Sequence, residues 1–207
     1  MQKLNQQPDI CPYFSPEFKV IPQYIIMKEG ECMELNNRTT SFFIFILSGE
    51  ITISFEQYTN RSVLENEMFF LPKNNCFKWK AVTQTVLILT GYNATIFPCT
   101  SVRARILYKI KAGVKFDCRG VVMKDEVKVV VNQMKHYLES GINCHHMYIL
   151  KHKELYLMFK HFYTYEEIIQ IFYLILGSNP LFNERVLDNY LKVKTVKELA
   201  GLLGYGI

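Results

Sequence analysis

The sequence predicts an α+β protein, a β-sandwich or barrel followed by a helical region, and three observations predict it. Between Gln23 and Tyr92, seven short segments rich in β-branched and aromatic residues alternate with turn residues. After Met123 the apolar residues recur at helical spacing. The end of the chain, Thr195 to Ile207, opens with a helix-starting pair and closes on a glycine turn. The implied divisions are an N-terminal arm (1–22), a barrel with a connecting segment (23–122), a helical linker (123–180) and a terminal helical unit (181–207).

Two prolines flank an aromatic patch in the arm (Pro12, Tyr13, Phe14, Pro16), which reads as irregular. The β segments are YIIM, FFIFIL, EITISFEQ, RSVL, EMFFLP, CFKWKA and TVLILTGY, with turns expected at Asn36-Asn37, Ser48-Gly49, Asn60, Pro72 and Asn74-Asn75. Alternation is clean in EITISFEQ, where Ile51, Ile53 and Phe55 share one face. Expected interior residues are Phe43, Phe45, Ile51, Ile53, Phe55, Phe70, Trp79, Leu87 and Leu89. Core packing is the first expectation for each, because small barrels fill themselves with side chains. The same residues are the candidates to touch any small-molecule effector.

From Tyr92 to Met123 the pattern is less regular. Lys124 to Ser140 then places Val127, Val130, Val131, Met134, Tyr137 and Leu138 on one helical face, and Gly141 ends it. The spacing of Val127, Val130, Met134 and Tyr137 resembles a short coiled-coil seam, so this face is the candidate dimer seam; packing against the chain's own barrel is the alternative. A next helix is expected from a cap at Asn143 to about Tyr163. Its adjacent His145 and His146 diverge by about 100° on a helix, so they do not converge on a metal; His152 and His161 follow on what reads as a partly exposed polar face. Thr164 and Glu167 form a capping box, Ile168, Ile171, Phe172 and Ile175 the stripe behind it, and Gly177 with Pro180 the stop.

In the terminal unit Thr195 and Glu198 form a second capping pair. Val196, Leu199, Ala200 and Leu203 make the apolar stripe, and Gly204 follows it. Asn183 caps an expected earlier helix with Val186, Leu187, Tyr190 and Leu191 on its face. Two short helices and a glycine turn suggest a helix-turn-helix, and the sequence given stops at Ile207, where a groove-reading helix is expected to begin.

The run NYLKVKTVKELAGLLGYGI resembles the start of the DNA-binding domain of AraC/XylS-type bacterial transcriptional regulators. Within residues 41–92, FILSGEITIS followed by ENEMFFLPKNNCFKWKA resembles the cupin barrel that forms the N-terminal domain of many such regulators. The resemblance implies a cupin-like (jelly-roll type) sensor barrel, linker helices that form a homodimer contact, an organic effector, and DNA as the partner of the full-length protein. Lys192, Lys194, Thr195 and Lys197 are then candidate phosphate contacts. Metal-dependent cupins carry two His and a Glu in the first motif and a further His in the second, whereas this sequence has no histidine before His136. No metal, cofactor or catalytic residue is therefore expected. Two rivals stay open: a cyclic-nucleotide-type β-roll regulator, whose phosphate-gripping Arg is missing after Glu65 to Pro72, and a cupin enzyme or binding protein with a helical appendage.

Composition sets the outer bounds. With 49% hydrophobic and 21% charged residues, 207 residues form a globular core and not a disordered chain. The net charge of +5 gathers outside the terminal unit, in Arg103, Arg105, Lys109, Lys111, Lys115 and Arg119, which reads as a solvated connecting segment. The cysteines (Cys11, Cys32, Cys76, Cys99, Cys118, Cys144) form no CxxC pair and are expected to be buried, reduced thiols of a cytoplasmic protein. The N-terminus has no apolar signal region, and Ile168 to Leu176 is too short to span a membrane, so the sequons at Asn37, Asn60 and Asn93 read as chance.

Overall fold

A computed structural model describes residues 22–37, 40–56, 58–73, 75–92, 117–176 and 193–202, together with 108, 189 and 190. Eight strands come first: β1 (Gln23–Met27), β2 (Cys32–Asn37), β3 (Ser41–Ser48), β4 (Glu50–Phe55), β5 (Tyr58–Leu64), β6 (Glu67–Leu71), β7 (Asn75–Ala81) and β8 (Thr85–Tyr92). A two-residue β9 (Val121–Val122) follows, then helices α1 (Asp125–Glu139), α2 (His145–Phe162), α3 (Tyr165–Leu176) and α4 (Val196–Leu202). The arm, apart from Pro22, and the expected helix capped by Asn183, apart from Asn189 and Tyr190, lie outside the described residues.

All strand pairs are antiparallel, and they form two sheets ordered β1-β8-β3-β6-β9 and β2-β7-β4-β5. From β1 to β8, successive strands pass between the sheets except at the β4–β5 hairpin, so that β8 lies beside β1 and β3, β7 beside β2 and β4. This order is the double-sheet jelly roll, the architecture of cupins.

One strand was missed in the sequence. Residues Cys32–Asn37 form β2, although Asn36-Asn37 read as a turn. The segment lies at a sheet edge, so only Met33 and Leu35, its half-buried positions, carry an inward signal. The expected turn at Ser48-Gly49 is present. Gly49 has φ +85°, and a Cβ there would meet the Gln84 carbonyl and lie 2.7 Å from Thr85 Oγ1, the hydroxyl that donates to the Glu50 carbonyl at 3.0 Å. Gly49→Ala should therefore lower stability by about 2–3 kcal/mol, from left-handed backbone and a displaced strand end together. An unchanged urea midpoint would contradict this reading of the turn.

The first sheet is the middle of three layers. Its β3, FFIFIL, is buried on both faces from Phe43 to Ile46. Ile44 and Ile46 stand in register with Leu89 and Leu87 and face the second sheet. Phe43 and Phe45 face the helices, where the Phe43 ring lies 5.8 Å from Phe159 of α2 and 6.1 Å from Phe172 of α3. The second sheet's other side is polar, as the alternation of β7 shows: Phe77, Trp79 and Ala81 are buried while Cys76, Lys78 and Lys80 are exposed.

The helix ends follow local chemistry. At the end of α1 the Gly141 N–H bonds the Leu138 carbonyl and the Ile142 N–H bonds the Tyr137 carbonyl, with Gly141 at φ +70°, a Schellman closure. Before α3, Thr164 and Glu167 form the expected capping box, at 2.8 and 3.3 Å. The same Glu167 meets Lys124 Nζ at 2.8 Å, and the Tyr163 hydroxyl accepts from the Lys124 N–H and donates to the Val122 carbonyl. These bonds tie the α2–α3 corner to the start of α1.

Candidate functional site

The expected effector contacts separate onto two faces. Ile51, Ile53, Phe55, Trp79, Leu87 and Leu89 lie between the sheets. Phe43, Phe45 and Phe70, expected in the barrel interior, instead face the helical layer, because β3 and β6 are covered on both sides. All nine are at most 4% exposed, and Phe55 packs 4.7 Å from Phe77 and 6.2 Å from Phe69. Between the sheets the Trp79 indole N–H is buried with no partner among the described residues. A notch beside β6, β9 and α3, lined in part by Phe70, Arg119, Val121 and Gln170, offers about 10 Å³, at the lower limit for a single water. Arg119 is held there by Asp117 at 3.1 Å.

The α1 face expected as an intersubunit seam is covered by the chain itself. Val127, Val130, Val131 and Met134 are at most 2% exposed, and Tyr137 and Leu138 are half-buried against the same core. Lys151 of α2 bonds Gln133 of α1, and Lys135 lies over the Tyr24 ring of β1. Four side chains without surface have nothing to offer a second copy, so the coiled-coil spacing here is that of a helix packed on its own sheet and neighbour.

The reading of α2 as bearing a partly exposed histidine face is corrected for His145 and His152, while His146 is half-buried and His161 exposed as expected. His145, Tyr148, His152, Leu155 and Phe159 are its buried residues. Their 3-4-3-4 spacing was visible in the sequence, but two histidines masked it as an apolar seam. No side-chain bond caps this helix, and its N-cap is Cys144 rather than Asn143. The Tyr148 hydroxyl donates to the Ile142 carbonyl at 2.7 Å. His152 Nε2 lies 2.8 Å from Thr90 Oγ1 of β8, a buried bond joining the helical layer to the jelly roll. Burial holds the His152 imidazole down at about 4, and its Nδ1 is buried without a partner among the described residues. Burial also lowers His145, whose ring is 5.4 Å from that of His146.

Among the described residues, no group of three His, Cys, Asp or Glu side chains comes together as a metal would require. Cys118 is buried and its thiol is pushed up to about 12 by that burial. Cys32 and Cys76, expected to be buried, are exposed instead, because they fall on the outward positions of β2 and β7. Cys76 donates to Glu34 at 3.1 Å, which raises the thiol, so it is a poor nucleophile. Cys11 and Cys99 lie outside the described residues. No helix among those described is long and apolar enough to cross a membrane.

At the terminal unit Glu198 N–H bonds Thr195 Oγ1 at 3.1 Å, and the Glu198 carboxylate accepts from the Lys194 N–H at 2.9 Å. The expected capping pair is present, with the return bond one residue earlier than in the reciprocal box. No residue of α4 is buried: Val196 is 82% and Leu202 52% exposed. Lys194, Thr195 and Lys197 are exposed, while Lys192, Leu203 and Gly204 lie outside the described residues.

Fold and site together define a cupin-like jelly-roll protein with a helical layer docked on one sheet. No protein-family model and no curated protein matches this sequence. Among solved structures the chain is similar to the Cnp3 cupin domain of Schizosaccharomyces pombe, at 19% identity over 40% of this chain and 59% of that one, TM-score 0.35. It is similar to a conserved Streptococcus pyogenes protein of unknown function, at 19% over 35% and 62%, TM-score 0.32. A cupin superfamily protein from Desulfitobacterium hafniense is similar at 17% over 36% and 68%, TM-score 0.33. The chain thus spans about three fifths of the length of the first two. The strand order, independent of these likenesses, defines the jelly roll.

Proposed function

We propose that this chain is the sensor and linker portion of an AraC-type, DNA-binding transcriptional regulator. The observation that carries the reading is α4: a capped helix whose described stripe residues Val196, Leu199 and Ala200 have no buried member, following a jelly roll and a helical layer. A helix of seven residues is marginal in water by itself, and an apolar stripe left in solvent calls for a packing partner. In a helix-turn-helix that partner is the recognition helix, which reads base edges while the first helix crosses the backbone. Lys194 and Lys197 at the start of α4 are exposed, and on this reading they are the candidate phosphate contacts. An effector bound at the jelly roll would act by changing how the DNA-binding unit is disposed.

A titration of DNA at several salt concentrations tests the reading, with residues 1–207 compared with a chain carrying a complete helix-turn-helix. Residues 1–207 should bind weakly, without sequence preference, and with a log–log salt slope of about −2 to −3, as two or three lysines imply. The longer chain should discriminate its operator. Tight, sequence-specific binding by residues 1–207, or none by the longer chain, overturns the assignment.

A further inference from the structure

We propose that His152 is a proton-sensitive latch between the jelly roll and its helical layer, whose charging favours the unseating of α2 from the first sheet. The inference does not depend on the regulator reading. It rests on a buried polar bond that crosses this interface. His152 is 5% exposed and reaches across the layers to Thr90, itself fully buried. In the neutral imidazole Nε2 keeps its bond to Thr90 in either tautomer, because the threonine hydroxyl both donates and accepts, and only the uncharged Nδ1 is left unpaired. An imidazolium carries two N–H donors and a charge, and Nδ1 has no acceptor among the described residues.

Among the described residues nothing compensates that charge. The titratable groups on faces turned toward the site are His145, Tyr148 and Tyr156 of α2 itself, Tyr92 of β8, Tyr24 of β1 and Tyr137 of α1. From β3 come Phe43 and Phe45, and from α3 Phe172. Charged groups stand at the rim. Lys135 lies over Tyr24, and Lys151 over Tyr137 is engaged with Glu154. Among the described residues no carboxylate raises its affinity for protons, and burial is the cause of the lowering. Above the free value of 6.5 the latch is fully closed, and its contribution falls away as pH drops toward about 4.

The test is hydrogen exchange of the full chain between pH 7 and pH 5, corrected for intrinsic exchange rates and read amide by amide. The opening constant of α2 should rise about 20-fold over that range, from a free proton affinity of 6.5 against a seated one near 4. Amides of β4 and β7 in the second sheet should not follow. In His152→Gln, which keeps a hydrogen-bonding side chain and removes the titration, the rise should vanish. That variant also separates His152 from His145, which remains in place. Flat α2 protection in the native chain overturns the latch. So does an equal rise in His152→Gln, or β4 and β7 opening in step with α2. If His152→Gln does not fold, NMR titration of the native imidazole decides: a value near 6.5 overturns the proposal, and one near 4 with α2 shifts tracking it supports it.

Discussion

Phe43→Ala is expected to lower the unfolding free energy by about 3–5 kcal/mol, a large share of what a domain of this kind holds in reserve. Phe43 is 3% exposed and stands where the jelly roll meets all that is packed on it. Its ring lies 4.9 Å from Phe70 and 5.5 Å from Tyr92, both edge-on, and 5.8 Å from Phe45 and Phe159. Removing it leaves a cavity bordered by a sheet and two helices, which cannot collapse without moving rigid elements. Edge-to-face pairs add to the area term, so the loss should reach the upper part of the range. The measurement is urea unfolding followed by near-ultraviolet dichroism, with Ile26→Ala on β1 as control. Ile26 is 57% exposed, and its replacement should stay within about 0.5 kcal/mol. A Phe43→Ala midpoint equal to the control's would mean that the helical layer does not pack on this face.

Met134→Glu should act in the opposite way from a mutation in an intersubunit seam. Met134 is fully buried within one chain, between α2 and the first sheet. A carboxylate placed there loses its hydration among apolar side chains, at a cost on the order of 4 kcal/mol. The expected result is loss of α1 docking and a lowered thermal midpoint, with no dependence on protein concentration. Sedimentation combined with dichroism checks it. Folded monomers with an unchanged melting temperature, obtained from a dimeric parent, would restore the α1 face as a contact between copies.

The candidate site was only partly legible in the sequence, and the reason is which faces are covered. Period-two alternation in β4 and β7 names the inward residues directly, because one side of the second sheet meets water. In β3 the run Phe43 to Ile46, and in β6 the run Met68 to Leu71, have no polar residue to mark a side, so nothing in the sequence separates Phe43, Phe45 and Phe70 from the interior. Likewise α1 presents one apolar stripe whether its partner is a sheet of its own chain or a second chain. The seam of α2 was hidden because His145 and His152 count as polar by composition, while a neutral imidazole with one partner packs as core.

What the residues alone determined was local. The capping box at Thr164, the cap at Thr195, the left-handed turns at Gly49 and Gly141, and the strands and helices other than β2 follow from backbone sterics and nearby hydrogen bonds. Those forces act over a few residues, so a few residues disclose them. Which faces meet was decided by the tertiary structure. Burial is a property of surfaces brought together from distant segments, as when Thr90 and His152, 62 positions apart, close the same buried contact.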